Sequence, residues 1–274
     1  MCGLVGFTGE VVDRGTVIRE MTDRIIHRGP DSSGTYLDDG VAMGFRRLSI
    51  IDLDTGSQPI YNEDKNLVLM FNGEIYNYKQ LREILVASGH RFTTETDSEV
   101  LVHGFEEWDV GLLNRLRGMF AFAIWNKKEQ SLFLARDFFG IKPMHYTMQN
   151  GHLVYASEIK SILGFPGFRK ELNENALNNY LSFEYPVPPE TFFKGVYSLP
   201  PAHYLKYRGG KAEILRYWDP KFQPDDSMTE QDAVDEIDRV FEDSVAAHRI
   251  SDVEVGCFLS GGVGSSYVAS YFKG

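Results

Sequence analysis

The uninterrupted nonpolar run Met119 to Trp125 restricts this chain more than any other feature. Its aromatic and branched residues, closed by the polar stretch Asn126 to Gln130, read as a strand buried on both faces and a tight turn. Ser131 to Ala135 then supplies the hairpin partner. The run is far shorter than the roughly 20 residues a membrane span needs, and the N-terminus lacks the basic and apolar segments of a secretory signal. No membrane association is expected.

Around this hairpin, the first 160 or so residues alternate strand-like runs with turns and two helices. One helix is predicted to start at Asn77, where Asn77 and Gln80 have capping-box spacing and Leu81, Ile84 and Leu85 follow helical period; Gly89 is its stop. The other is predicted to start at Thr96, with Glu99 three residues on and Val100, Leu101, Phe105 and Trp108 facing inward. Asp97 then falls in its first turn, next to the helix dipole. Five prolines between Tyr185 and Pro201 (Pro186, Pro188, Pro189, Pro200, Pro201) predict an ordered loop. A second domain opens after Pro220 to Ser227 with a helix started by Thr229 and Asp232, its apolar face being Ala233, Ile237, Val240, Phe241 and Val245. Val253 to Leu259 is predicted to be a strand, with Cys257 buried inside it. The domain limits are set at 1–220 and 221–274.

Composition excludes several functions. The chain has 274 residues, with 39 acidic against 28 basic side chains and a net charge of -11, so it repels phosphate backbones and no nucleic-acid partner is expected. Two cysteines, Cys2 and Cys257, cannot build a disulfide framework, which points to a reducing cytoplasm. No metal-ligating cluster is read from the sequence.

Cys2 directly follows the initiator methionine. Removal of Met1 unites a thiol and a free α-amine on one residue, and with ordinary pKa values of about 8.5 and about 7.7–8.0 the amine can take the thiol proton near neutrality. The motifs MCGLVGFTGE, HRGPDSSG from His27, RRLSIIDL from Arg46, FNGEIYNY from Phe71, TDSEVL from Thr96, RGMFAFAIW from Arg117 and ARDFFGIKPMHY from Ala135 follow in order. Together they resemble the glutamine-hydrolysing domain of the asparagine synthetases, an N-terminal-nucleophile amidotransferase. The resemblance covers most of the first 200 residues and resumes with SDVEVGCFLSGGVGSS at Ser251.

This resemblance implies an α+β fold, a four-layer αββα sandwich of two antiparallel sheets between helices, followed by the beginning of an α/β ATP-pyrophosphatase-type domain. It implies Cys2 as nucleophile, with the Asn72 amide and the Gly73 backbone N–H holding the oxyanion. Arg47 corresponds to the arginine that holds the glutamine α-carboxylate, with Glu74 and Asp97 near the α-amino group. His27, Arg28 and Asp31 are expected to be structural, holding the turn that walls the pocket. Tyr185 to Pro201 is either a proline-stiffened surface loop or part of an ammonia conduit.

A degenerate phosphate loop, Ser260, Gly261, Gly262, Ser265 and Ser266, matches the family's SGG-x-DS signature except at Gly264, where the family has an aspartate that helps hold Mg²⁺. Glycine offers no oxygen to a hard cation. Glutamine hydrolysis needs no cofactor; the intact synthetase uses ATP, Mg²⁺ and aspartate, and this chain is expected not to adenylate anything. Family members commonly dimerise, so a homodimer is implied. Two rival readings are the same glutaminase serving another acceptor (a sugar phosphate, or a peptide or antibiotic carboxylate) and a non-catalytic glutamine-binding module.

Overall fold

The computed structural model describes residues 1–52 and 56–272. Leu53, the last residue of the RRLSIIDL motif, lies outside the described residues. The chain divides into two units, residues 1–49 with 54–219, and residues 50–53 with 220–274.

The first unit is built on two six-stranded antiparallel sheets. One contains β1 (Gly3–Thr8), β2 (Ser32–Leu37), β3 (Val41–Arg47), β8 (His145–Gln149), β9 (His152–Ala156) and β10 (Tyr197–Ser198), in the order β10-β8-β9-β1-β3-β2. The other contains β4 (Ile60–Tyr61), β5 (Leu67–Ile75), β6 (Gly118–Asn126), β7 (Ser131–Arg136), β11 (His203–Arg208) and β12 (Lys211–Arg216), in the order β12-β11-β7-β6-β5-β4.

Period-two alternation assigns each strand residue to a layer. On β6, Ala121, Ala123 and Trp125 face the core between the sheets, while Phe120, Phe122 and Ile124 face the helices outside. The run Met119 to Trp125 is therefore a strand with both faces buried, paired through Asn126↔Ser131 with the expected hairpin partner. Each of its large side chains contributes roughly 1.5–3 kcal/mol by burial. On β1, Leu4 enters the same inter-sheet core, whereas Val5 and Phe7 meet Val17, Ile18 and Met21 of α1 (Arg14–Asp23) and Ile162 of α4 (Ile159–Ile162). The second sheet is covered by α2 (Tyr78–Ala87) and α3 (Glu99–Trp108) through Leu81, Leu85, Val100, Leu101 and Val102. The layers run α, β, β, α, and the fold is the expected α+β sandwich. Beyond the two covered sheets, α5 (Glu174–Phe183) precedes the proline-rich stretch.

Local details depart from the sequence expectations. Asn77 is the N-cap of α2 without a capping hydrogen bond; its amide donates to Arg115 O and accepts from Arg117 N–H, tying the helix start to the approach to β6. Gly89, at φ +104, directly follows the C-cap Ser88. The second helix starts at Glu99, not near Thr96, because the Glu99 carboxylate turns back to accept from the backbone and hydroxyls of Thr93 and Thr94. Asp97 thus precedes the helix. The helix α1, which the sequence reading did not single out, is capped by the Asp13 side chain at Thr16 N–H.

In the second unit, α6 (Glu230–His248) has the expected Thr229–Asp232 capping box, and α7 (Val263–Tyr271) packs on it through Phe241 and Tyr267, whose rings lie 4.3 Å apart. Residues 253–259 do not form a strand: no ladder partner exists among the described residues, and without one an apolar run remains an extended segment. Cys257 is accordingly exposed, not buried. Among the described residues, no helix is long and apolar enough to cross a membrane.

Candidate active site

Three strands present a polar residue where their inward-facing apolar series stops. On β1 the inter-sheet residue Leu4 is preceded at the same parity by Cys2; on β3 the series Val41, Met43, Phe45 ends in Arg47; on β5 the series Val68, Met70 ends in Asn72. The β1–β3 register Gly3↔Arg46, extended by one residue, sets Cys2 opposite Arg47. Across the sandwich, β1 packs against β5. Cys2, Arg47 and Asn72 therefore project into the space between the sheets, at the end of the apolar core.

Cys2 is half-buried and held from two sides. Leu48 N–H approaches its Sγ at 3.3 Å, and Arg28 Nε donates to its carbonyl at 2.9 Å. Arg28 is itself braced by Glu158 at 3.1 Å, which also meets His27 at 2.9 Å and Lys160 at 3.1 Å. Asp31 accepts from Ser49 N–H at 2.8 Å, so His27, Arg28 and Asp31 fasten the segments that flank Cys2. Burial pushes the thiol pKa up; the Leu48 backbone and the positive charges of the N-terminus, Arg47 and Lys142 pull it down.

Asn72 is almost completely buried, and its Nδ2 has no hydrogen-bond partner among the described residues. Such a donor is rare in a folded core and marks a place where an acceptor is expected to arrive. Gly73 follows, opposite Phe120, and a Cβ at this position would lie 2.1 Å from Met119 O. Only glycine lets the two backbones come this close.

Glu74 is half-buried on the same face of β5, and Asp97 is buried against the strand end, where its carboxylate accepts from Ile75 N–H at 2.8 Å. Burial raises the Asp97 pKa to about 7; hydrogen bonds from Ile75, Thr96 and Ser98 oppose the rise, and the charge of Glu74 adds to it. Two carboxyl groups in mutual repulsion form a place where a cation is welcome. The Asp97 carboxyl thus holds the end of β5 from a position just before the N-cap of α3.

One charged residue of this region was not singled out from the sequence. Lys142 is nearly fully buried, its pKa lowered by that burial while Glu74 and Cys2 raise it, and its Nζ lies 3.3 Å from Met1 Sδ. The turn presenting it is wound around Asp137, whose carboxylate accepts from the N–H groups of Phe139 at 3.1 Å, Ile141 at 2.9 Å and Lys142 at 2.9 Å. Arg136 closes the turn from the other side by donating to Lys142 O at 2.8 Å and Gly140 O at 2.7 Å. The motif ARDFFGIKPMHY carried this signal: its adjacent Arg and Asp clamp the loop that delivers the lysine.

The residues Ser260, Gly261, Gly262, Ser265 and Ser266 lie in the second unit. Gly262 is the N-cap of α7, the hydroxyl oxygens of Ser260 and Ser265 are 3.0 Å apart, and Ser265 donates to Gly262 O at 3.1 Å. Gly264 sits in the first turn of the helix with nothing within 4 Å of where a Cβ would be.

Comparison with known proteins agrees with this layout. The glutamine amidotransferase domain family matches residues 1–218, and the asparagine synthase family matches residues 236–274. The chain is 42% identical to "Asparagine synthetase [glutamine-hydrolyzing] 1" of Bacillus subtilis, over 100% of this chain and 44% of that protein. It is 37% identical to "Amidase chry2" of Gibberella zeae, over 94% of this chain and 39% of that protein. It therefore spans less than half the length of these relatives. The solved structure of the allosteric regulatory enzyme of purine biosynthesis shares the fold, with a TM-score of 0.58 at 20% identity over 78% of this chain and 49% of that one. With two antiparallel sheets between helix layers and a half-buried Cys2 at the edge of the inter-sheet core, the chain belongs to the glutamine amidotransferase domain family, continued by the opening of an asparagine synthase domain.

Proposed function

We propose that this chain hydrolyses glutamine to glutamate and ammonia, with Cys2 as nucleophile. Once Met1 is removed, the freed α-amine takes the thiol proton as Sγ attacks the side-chain carboxamide carbon. The carbonyl oxygen becomes an oxyanion, which the Asn72 amide and the Gly73 N–H stabilise. The amine then passes its proton to the leaving nitrogen, ammonia departs, and water hydrolyses the thioester to glutamate and free Cys2. Arg47 holds the α-carboxylate of the substrate through its planar fork, and the Glu74 and Asp97 pair receives the α-ammonium.

The observation that carries this reading is the buried Nδ2 of Asn72, without a partner among the described residues and on the inward face toward which Cys2 also projects. In the intact protein, the ammonia is transferred to aspartate activated by ATP, giving asparagine, in line with the relatives that carry that name. The test is glutamate release from glutamine by the purified chain, compared with Cys2→Ala. Mass analysis of the N-terminal peptide establishes in the same sample that Met1 is gone. Unchanged release by Cys2→Ala refutes the assignment.

A further inference from the structure

A second cluster of chemically capable side chains lies on the outer layer formed by α2 and α3. Glu63, before β5, His90, after α2, and His103 and Glu106, on α3, each bring one ligand-type atom to within 4.8 Å of all the others. His103 is almost fully buried and His90 largely so, with side-chain exposures of 1% and 10%.

The surroundings of His103 single this cluster out. Glu99 accepts from Thr93 N–H at 2.8 Å, Thr93 Oγ1 at 3.0 Å, Thr94 N–H at 2.7 Å and Thr94 Oγ1 at 2.6 Å. A carboxylate with four such donors is an acceptor only, so its 3.3 Å contact with His103 Nε2 assigns the ring proton to Nε2. In a ring that carries a single proton, Nδ1 is then a lone pair. It has no hydrogen-bond partner among the described residues, although Glu63 Oε2, another acceptor, lies 3.2 Å away. Two lone pairs 3.2 Å apart repel unless a proton or a metal ion lies between them.

His90 meets the other oxygen of the same carboxylate. His90 Nδ1 lies 3.2 Å from Glu63 Oε1, while its Nε2 has Glu107 at 3.5 Å. The two 3.2 Å separations from Glu63 fit the edge of a tetrahedral zinc site, about 3.3 Å for bonds of about 2.0 Å. Each group also has an outer partner that orients it: Glu99 for His103, Glu107 for His90, Arg91 N–H for Glu63 at 2.8 Å and the Asn62 amide for Glu106 at 2.9 Å. Such second partners are what metal-ligating imidazoles and carboxylates use to hold their orientation.

We propose that Glu63, His90, His103 and Glu106 form a binding site for a divalent transition-metal ion of the zinc type. The ion clips the start of β5 and the α2–α3 connection to the outer face of α3. Two imidazoles select zinc-like ions over Mg²⁺ and Ca²⁺, which prefer oxygen alone. Two carboxylates and two neutral rings balance the charge of the ion. The site is separate from Cys2 and takes no part in glutamine hydrolysis.

The test is titration of the chelator-treated chain with ZnCl₂ by calorimetry and thermal denaturation, in a Cys2→Ala, Cys257→Ser background so that no thiol competes. One zinc per chain and a rise in Tm of about 5 °C at saturation are expected. His90→Gln and Glu106→Gln are each expected to weaken binding at least about tenfold, and Glu106→Gln, at an exposed position, to leave the Tm of the zinc-free protein unchanged. Co²⁺ in place of zinc should give visible d–d bands. Absence of saturable zinc uptake, or uptake unaffected by both substitutions, overturns the proposal and leaves a network of histidine–glutamate ion pairs.

Discussion

Replacing Asn72 separates a catalytic amide from a structural one. The side chain is 1% exposed and its Nδ2 lacks a partner among the described residues, so the resting fold carries an unpaired buried donor. Such a group costs about 1–3 kcal/mol of stability. If the oxyanion is the intended acceptor, that cost is recovered only in the transition state. Removing one donor of this kind lowers kcat by about 10²–10³, equivalent to about 2.7–4 kcal/mol. Asn72→Leu keeps the volume and eliminates the unpaired donor. It should therefore lose activity by that factor with little change in KM, while Tm holds or rises, at about 2–4 °C per kcal/mol gained for a chain of this size. Initial rates of glutamate release and a thermal melt on the same preparations provide the assay. Asn72→Asp, which sets an anion against an anion, should be at least as inactive. A leucine variant that keeps activity within a few-fold, or melts many degrees lower than the parent, would show that the amide supports the fold and not the reaction.

Four further outcomes are expected. Because burial lifts Asp97 to about 7, its folded pKa exceeds the unfolded value of about 3.9, so its contribution to stability is fully present below pH 4 and is lost as pH rises toward 7; Asp97→Asn should flatten this dependence in melts between pH 4 and 8, and a slope unchanged by the substitution would contradict it. A bound ammonium favours the ionised form, so KM for glutamine should fall as pH rises through 7 in the parent but not in Asp97→Asn. Gly73→Ala brings a methyl group to 2.1 Å from Met119 O, a backbone atom that cannot swing away, and should cost about 1–3 kcal/mol in denaturant unfolding together with most of the activity; a fully stable, active variant would be incompatible with this strand spacing. Arg47→Lys keeps the charge but loses the fork, so KM should rise more than kcat falls in steady-state kinetics.

What the sequence makes legible follows from the range of the interaction involved. The strand Met119 to Trp125 is readable because burial on both faces leaves an apolar run, and both of its faces are found in cores. The Thr229–Asp232 capping box is readable because both partners lie within one turn. The same spacing misleads at Thr96 and Glu99, where four donors from Thr93 and Thr94 and the buried ring of His103 outcompete a helix cap for the carboxylate. The strand expected at 253–259 fails for the related reason that a ladder depends on a second segment. Cys2, Arg47 and Asn72 were reached through motif resemblance; their convergence on one inward face depends on the pairing of β1 with β3 and the packing of β1 on β5, which no local pattern encodes. Lys142 escaped because a lysine among FGIKP has no local reason to be buried. The Asp137 carboxylate and the Arg136 guanidinium bury it by binding the turn on both sides. The histidine pair is hidden for the same reason, since its four ligand groups come from three segments. Those residues become legible only once the sheets define where each segment ends.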